Sequence, residues 1–402
     1  MRKKTLFLNM FLCLFLTGCW DQRELSNLSV VTGMAIDIGK NAPYVLTIEA
    51  INAAELNEQT TVGNAPTIIF SLEGKTIGEL SHKMNVGVSR NLIYSHMKTL
   101  VISKEVAEKG ALDFLDFLER TREIRDDFNF IVAKEGKAAD VLKVLYTIQK
   151  SSALKLKVQL ETAAELWGGD PDVRLNDFLR AMMSPGRHPV LAQVKIKGNP
   201  EKGNSLDNIT KPELDAIVVI DSMAVFHDDK LVGALSLEET RNYLWTQDKL
   251  QKTIISIPCE EGDKDDFFAI RVKNSNTKLK GHLDDEKPNI DMNIHVESYV
   301  NTSQCSKPLD KKETYQDFQK TAEEYLQKQI SGTIEKVQKK YGIDIFGFGE
   351  VISRQDYKNF KEIQNHWDEA FKEAQINVSV DVNISRAGLN TKGAYREAKE
   401  EQ

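Results

Sequence analysis

Ile376-Asn377-Val378-Ser379-Val380-Asp381-Val382-Asn383-Ile384 alternates apolar and polar residues over its whole length. A period of two puts one set of side chains on each face of a strand, so the stretch predicts a β-strand with one buried and one wet face. Upstream the period changes. Tyr357, Phe360, Ile363, Trp367 and Phe371 recur at helical spacing and predict a short helix over about 355–374. Before it, Tyr315, Phe318, Ala322, Tyr325, Ile330, Ile334, Val337 and Tyr341 lay an apolar stripe along one long helix from Lys311 to Tyr341. Long helix, short helix and strand form an expected C-terminal domain over 304–390, with 391–402 as a tail.

Further upstream, Ile290, Met292, Ile294 and Val296 repeat the strand alternation and belong to an antiparallel sheet wet on its other side. Residues 254–257, 267–273 and 277–283 read as its companions. Ala216–Ile220 and Met223–Phe226, then the turn His227-Asp228-Asp229-Lys230 and Leu231–Leu235, read as a hairpin. Ser236 with Glu239 three residues on is a capping box that starts a helix. Together these predict a β-rich middle domain, 213–303. Gly198 to Pro212 carries two Gly, two Pro and several Asn without apolar periodicity, and is read as a linker. Before it, a hairpin over Leu28–Gly39 and Tyr44–Asn52 leads into strands at 67–72, 98–103, 128–132 and 190–197. These interleave with helical patterns near 75–86, 105–120, 137–148 and 156–182, an N-terminal α+β domain over 28–200. The fold class expected is therefore α+β, three mixed α/β domains with mainly antiparallel or mixed sheets. A length of 402 residues, more than one core usually serves, agrees with several domains.

The amino terminus decides where the chain goes. Arg2, Lys3 and Lys4 precede an apolar run from Leu6 to Leu16 that only Asn9 interrupts, the pattern of a secretory signal peptide too short to span a membrane stably. The run ends Leu16-Thr17-Gly18-Cys19, which looks like a bacterial lipobox: small residues admit the peptidase between Gly18 and Cys19, and the Cys19 sulfur takes a diacylglyceryl group, its amine an acyl chain. Residues 1–18 are thus the expected signal peptide and 19–27 the lipidated tether. The longest later apolar run is Ala216–Ile220, so lipid is the expected membrane attachment. A formal net charge of -7 with no long basic block argues against a nucleic-acid partner.

Catalytic constellations are missing from the sequence. There is no Gly-x-Ser-x-Gly elbow, Walker A loop, His-Glu-x-x-His or Gly-x-Gly-x-x-Gly after a strand. The histidines at 82, 96, 188, 227, 282, 295 and 366 never pair at metal-ligand spacing, so no metal and no cofactor is expected. Gly347-Phe348-Gly349 reads as an aromatic turn between elements. Cys259 and Cys305 remain once Cys13 leaves with the signal and Cys19 is acylated. A disulfide between them is permitted outside the cytoplasm, but nothing in the sequence brings them together, and two unpaired thiols is the favoured reading.

Gly18-Cys19-Trp20-Asp21-Gln22-Arg23-Glu24-Leu25 resembles the start of mature C-subunit lipoproteins of bacterial spore germinant receptors. Internal blocks continue the resemblance: Ser95–Ser103, Leu175–Leu179, Gly186-Arg187-His188-Pro189-Val190, Ala224-Val225-Phe226 with Lys230-Leu231-Val232-Gly233, Phe346-Gly347-Phe348-Gly349-Glu350, Trp367, and the strand running toward Gly388. Phe360 departs from it, standing where tryptophan is expected and without a preceding proline. The resemblance implies three mixed α/β domains and a peripheral, non-enzymatic subunit on the outer face of the inner spore membrane. Its implied partners are a multi-domain A subunit and an integral B subunit, with direct small-molecule binding unexpected. The alternative is a lipid-anchored extracytoplasmic solute-binding protein, for which βα alternation in two parallel-sheet lobes is expected.

Overall fold

The computed structural model describes residues 27–51, 67–262, 265–284 and 286–385. Two sheets organise them. The first contains β1 (Leu28–Ile38), β2 (Tyr44–Ile51), β3 (Thr67–Gly74), β4 (Asn91–Ile93), β5 (Thr99–Ser103), β6 (Asn129–Ala133), β7 (Val190–Gly198), β8 (Ala216–His227) and β9 (Lys230–Ser236), in the order β3-β2-β1-β5-β6-β7-β8-β9 with β4 beside β1. Its centre, β1-β5-β6-β7, is parallel, and antiparallel strands flank it on both sides. Every residue of β5 and β6 is buried, as expected of parallel strands covered on both faces. One face packs under Ile77, Leu80, Val106 and Phe114, and the other under Val141, Leu142, Leu156 and Leu160.

The helical pattern read over 156–182 is two helices, Ser152–Leu166 and Leu175–Met183, separated at Gly168-Gly169-Asp170-Pro171. Proline removes a backbone donor and the glycines favour a break, so the chain turns there.

The stretch read as a linker is a folded connection. β7 pairs antiparallel with β8 from Val190↔Val225 to Gly198↔Ala216, so the stretch between them, with a short helix at Pro200–Gly203 and a 3-10 turn at Leu206–Asn208, connects two neighbouring strands of one sheet. Asn208, fully buried, accepts from the Ala216 N–H at 3.0 Å and donates to the carbonyls of Ala216 and Leu145, both at 3.1 Å. The side chain supplies the contacts that apolar periodicity does not reveal. The expected middle domain 213–303 is therefore divided: β8 and β9 belong to the first sheet, and the second begins beyond the capping-box helix Leu237–Thr246.

The second sheet has the order β10 (Thr253–Pro258), β11 (Phe267–Asp284), β12 (Lys287–Ser303), β13 (Gln375–Ser385). β10 to β12 form an antiparallel meander, whereas β13 joins β12 in parallel. Ile290, Met292, Ile294 and Val296 are buried with Val378, Val380, Val382 and Ile384 against one face of the 29-residue helix Lys312–Lys340, through Phe318, Ala322, Leu326, Ile330, Ile334 and Val337. The short-helix region is three helices, Phe348–Gln355, Tyr357–Ile363 and Trp367–Lys372; Phe360, Ile363, Trp367 and Phe371 are buried, while Tyr357 is exposed. Cys259 and Cys305, expected to be unpaired, form a disulfide with Cα atoms 5.6 Å apart. The register explains it: Pro258 pairs with Phe267 and Phe268 with Ser303, so both cysteines leave the sheet beside the same end of β11.

Two buried acids of the first hairpin fasten helices onto the parallel strands. Asp37 accepts from the N–H groups of Ala138 and Ala139 at 2.7 and 3.0 Å, at the start of helix Ala138–Lys143. Glu49 accepts from the N–H groups of Ser152 and Ala153 at 2.7 and 2.9 Å and from the hydroxyls of Ser151 and Thr32 at 3.0 and 3.1 Å. Burial pushes both carboxyls above their ordinary range against these donors.

Replacing Glu49 by Ala strands four donors and is expected to lower stability by about 3–5 kcal/mol in urea denaturation, with a smaller loss for Glu49→Gln. Reducing the disulfide, which closes a 46-residue separation, is expected to cost about 3–4 kcal/mol. An unchanged melting temperature in reductant would contradict its structural role.

Candidate functional site

Several blocks that carry the sequence resemblance meet where the two sheets join. Gly186–Val190 leads into β7, Ala224–Phe226 lies in β8, Lys230–Gly233 opens β9, and Phe346–Glu350 and Trp367 open two of the C-terminal helices. The organiser is Asp344, which is fully buried. Its Oδ1 accepts from the N–H groups of Phe346 and Gly347 at 2.9 and 2.8 Å, and its Oδ2 accepts from the Gly349 N–H at 2.9 Å and the Trp367 indole N–H at 3.1 Å. Burial pushes its pKa up to about 6 although all four donors favour the anion. The turn read as an aromatic turn between elements thus closes on a carboxylate of its own chain. Gly347 has φ 79, which glycine adopts without strain.

The Asp344 carbonyl accepts from the His188 N–H at 2.7 Å, which brings two backbones together. A Cβ on Gly186 would lie 2.6 Å from the Gly349 carbonyl carbon, and one on Gly349 would lie 2.6 Å from the Gly186 Cα. Neither residue tolerates a side chain at that contact. On the flank, Tyr341 at the end of the long helix lies over Gly233, its hydroxyl donating to the Ala234 carbonyl at 2.9 Å and accepting from the Ala234 N–H at 3.2 Å.

A cleft of about 370 Å³ opens beside this contact, with Arg180, Arg187 and Lys249 facing Asp177 and Glu350. Arg187 donates to the Tyr243 hydroxyl at 3.0 Å and to Gln247 Oε1 at 2.7 Å, and lies 3.5 Å from Glu350. Gln247 in turn donates to the Phe346 carbonyl at 2.9 Å. The arrangement ties β7, the helix Leu237–Thr246 and the Asp344 turn into one hydrogen-bonded network.

At the other side of Gly186 the structure gathers histidines that sequence spacing leaves apart. His188 Nε2 is 3.0 and 3.2 Å from the two Asp368 oxygens, and His227 Nε2 is 3.3 Å from Oδ2. The rings lie 4.8 Å apart between centroids. Burial pushes the Asp368 carboxyl up, but hydrogen bonding and charge from His188, then His227, outweigh it and hold it below the usual range. Histidines that do not pair at metal-ligand spacing along the sequence meet in space: His188, two residues before β7, and His227, the last residue of β8, lie at the same end of an antiparallel ladder, a juxtaposition set by register across 39 residues. Asp344, two residues before Phe346, is the group that sequence reasoning missed, although an Asp ahead of a Phe-Gly turn is an available signal for side-chain capping of a turn. Cys19, the expected lipidation residue, and the Gly18–Cys19 cleavage point lie outside the described residues, as do the tail and all of the expected 19–27 tether except its last residue.

Asp344→Asn would turn an NH₂ group toward N–H donors. It is expected to destabilise the protein by about 2–4 kcal/mol in chemical denaturation. Gly186→Ala is expected to do so comparably by forcing the two backbones apart; wild-type stability in both variants would show that the junction does not hold the sheets.

Residues 21–196 match the family described as spore germination protein N-terminal domain, and residues 221–388 match the family described as spore germination B3/GerAC like, C-terminal. Spore germination protein KC of Bacillus subtilis (strain 168) is 29% identical over 402 residues, covering 96% of each chain. Spore germination protein B3 of the same organism is 24% identical, covering 94% of this chain and 96% of that protein. The crystal structure of the GerBC protein superposes with a TM-score of 0.52 at 19% identity, covering 90% of this chain and 99% of that one, and so shares the fold. With the N- and C-terminal family models matched in order and relatives aligned nearly end to end, the chain belongs to the Ger(x)C family of spore germination proteins.

Proposed function

We propose that the protein is a lipid-anchored subunit of a spore germinant receptor, that it acts by binding other proteins without turnover of its own, and that the receptor needs it to assemble or to signal in response to nutrients. The observation that carries the reading is the end-to-end match to named spore germination proteins. The lipobox at Cys19 supports a diacylglyceryl anchor on the outer face of the inner spore membrane. Among the described residues, no helix is long and apolar enough to cross a membrane, which is consistent with a lipid attachment. The implied partners are the receptor's A and B subunits.

Tethering gives such a subunit a physical advantage. Confinement to the membrane plane raises its effective concentration near an integral partner, so contacts of a few kcal/mol suffice to hold a complex. The solute-binding alternative expects two lobes of parallel βα units; the second sheet is instead an antiparallel meander with one parallel edge strand. The junction described above also ties the two sheets together through buried hydrogen bonds, which suits a scaffold better than a pair of lobes that close on a ligand.

Cys19→Ala is expected to abolish lipidation, to free the protein from the membrane fraction and to abolish the germination response of its receptor. Mass spectrometry of the membrane fraction and germination assays with the cognate nutrient check this. Unmodified Cys19 in membrane-bound protein, or a normal response from anchorless spores lacking a paralogue, would refute the reading.

A further inference from the structure

We propose that His188, His227 and Asp368 form a binding site for a divalent transition metal of zinc type, which clasps the C-terminal helical segment to the end of the first sheet. Among the described residues, this is a group of histidine and carboxylate side chains whose candidate donor atoms all lie within 4.8 Å of one another. It draws on three separate parts of the fold. His188 lies two residues before β7, His227 ends β8, and Asp368 lies in the first turn of helix Trp367–Lys372.

The distances suit coordination. Zinc holds imidazole nitrogen and carboxylate oxygen at about 2.0–2.1 Å, which separates ligand atoms in a tetrahedral shell by roughly 3.3 Å. Asp368 oxygens lie 3.0 and 3.2 Å from His188 Nε2 and 3.3 Å from His227 Nε2. The His188 side chain is 12% exposed and fixed, whereas that of His227 is 49% exposed and can close the remaining distance. Three protein ligands leave a coordination position for water or for a group from outside the chain.

A second carboxylate stands behind both rings. Asp228 Oδ1 lies 3.6 Å from His188 Nδ1, and Asp228 Oδ2 lies 3.6 Å from His227 Nδ1. A carboxylate behind a ligating imidazole orients the ring and raises its basicity. Without metal, His188 Nδ1 faces the Asp228 N–H at 3.1 Å as an acceptor, a geometry that suits the tautomer with a proton on Nε2, toward Asp368. Coordination through Nε2 transfers that proton to Nδ1, where the Asp228 carboxylate replaces the N–H as partner. No oxidant or co-reactant takes part. Asp228 sits in the exposed β8–β9 turn with φ 52, where exchanging one Nδ1 partner for another does not disturb a core.

The set of two nitrogens and one oxygen selects a borderline metal over calcium or magnesium, which prefer all-oxygen shells. The likeness to a structural zinc site is in its placement: the metal would join chain segments that are 180 residues apart in sequence.

The test is calorimetric titration of ZnCl₂ into the full chain, purified in detergent and stripped with EDTA, with Co²⁺ absorbance as a second readout. Saturable binding of one equivalent is expected, with a tetrahedral cobalt visible band. His227→Ala and Asp368→Asn are each expected to weaken binding by about tenfold or more, and Asp228→Asn by a smaller factor. His295→Ala, at an exposed His–Asp pair elsewhere, is expected to leave it unchanged. His227 is half-exposed, so its variant decides the question even where Asp368→Asn impairs folding. No saturable binding at one equivalent, or undiminished affinity in His227→Ala, overturns the proposal.

Discussion

The carboxylate of Asp344 receives four hydrogen bonds in a site without solvent exposure, and the relative placement of the two sheets depends on it. Because its oxygens fold the chain from Asp344 to Gly349 into a tight turn, that turn presents bare backbone to Gly186, and the approach of His188 to the Asp344 carbonyl follows. The arrangement is costly as well as binding. A carboxyl pushed up to about 6 by burial gives back part of what its donors contribute. Its use is orientation, since each of the four donors is satisfied in one geometry only.

The halves matched by the two families are not separate bodies with a loose hinge between them. Val190, Met223, Val225 and Leu235, from β7, β8 and β9, lie in the same apolar cluster as the second sheet and the long helix. Parting the sheets would expose these residues along with Tyr243 and Trp245. On the proposed reading of a subunit that works through contact with its neighbours, a body without a joint would transmit a push at one end to the other.

Much of this was legible beforehand, for a definite reason. Alternation at 376–384 and 290–296, the stripe on the long helix and the capping box at Ser236 are local patterns, and each is found where the periodicity puts it. What escaped depends on register between distant segments. The Cys259–Cys305 bond needs β10 and β12 to end beside the same strand, and the His188–His227 pair needs β7 and β8 to align. The polar stretch 198–212 resisted for another reason: Asn208 stabilises it by hydrogen bonds, to which apolar periodicity is blind. Cys19, the residue that locates the protein in the functional reading, rests on the leader sequence alone.

The parallel pairing of β13 with β12 has a consequence for the chain while it is being made. Asn289 faces Gln375 across this ladder, so the partner strand arrives only after the whole of the long helix and the three short ones have followed. Until then β12, 17 residues long, has a hydrogen-bonding edge without a partner. Such an edge is a template for the strand of another molecule. Contacts that span so many residues also form slowly. The helix Lys312–Lys340 comes first and can cover the apolar face, but it leaves the edge open. In the finished protein the new edge is blunted, because the N–H of Val382 donates to Glu323 and its carbonyl accepts from Gln319. Aggregation risk is therefore concentrated in the interval before residue 385 is available, and a truncation that removes β13 makes that interval permanent.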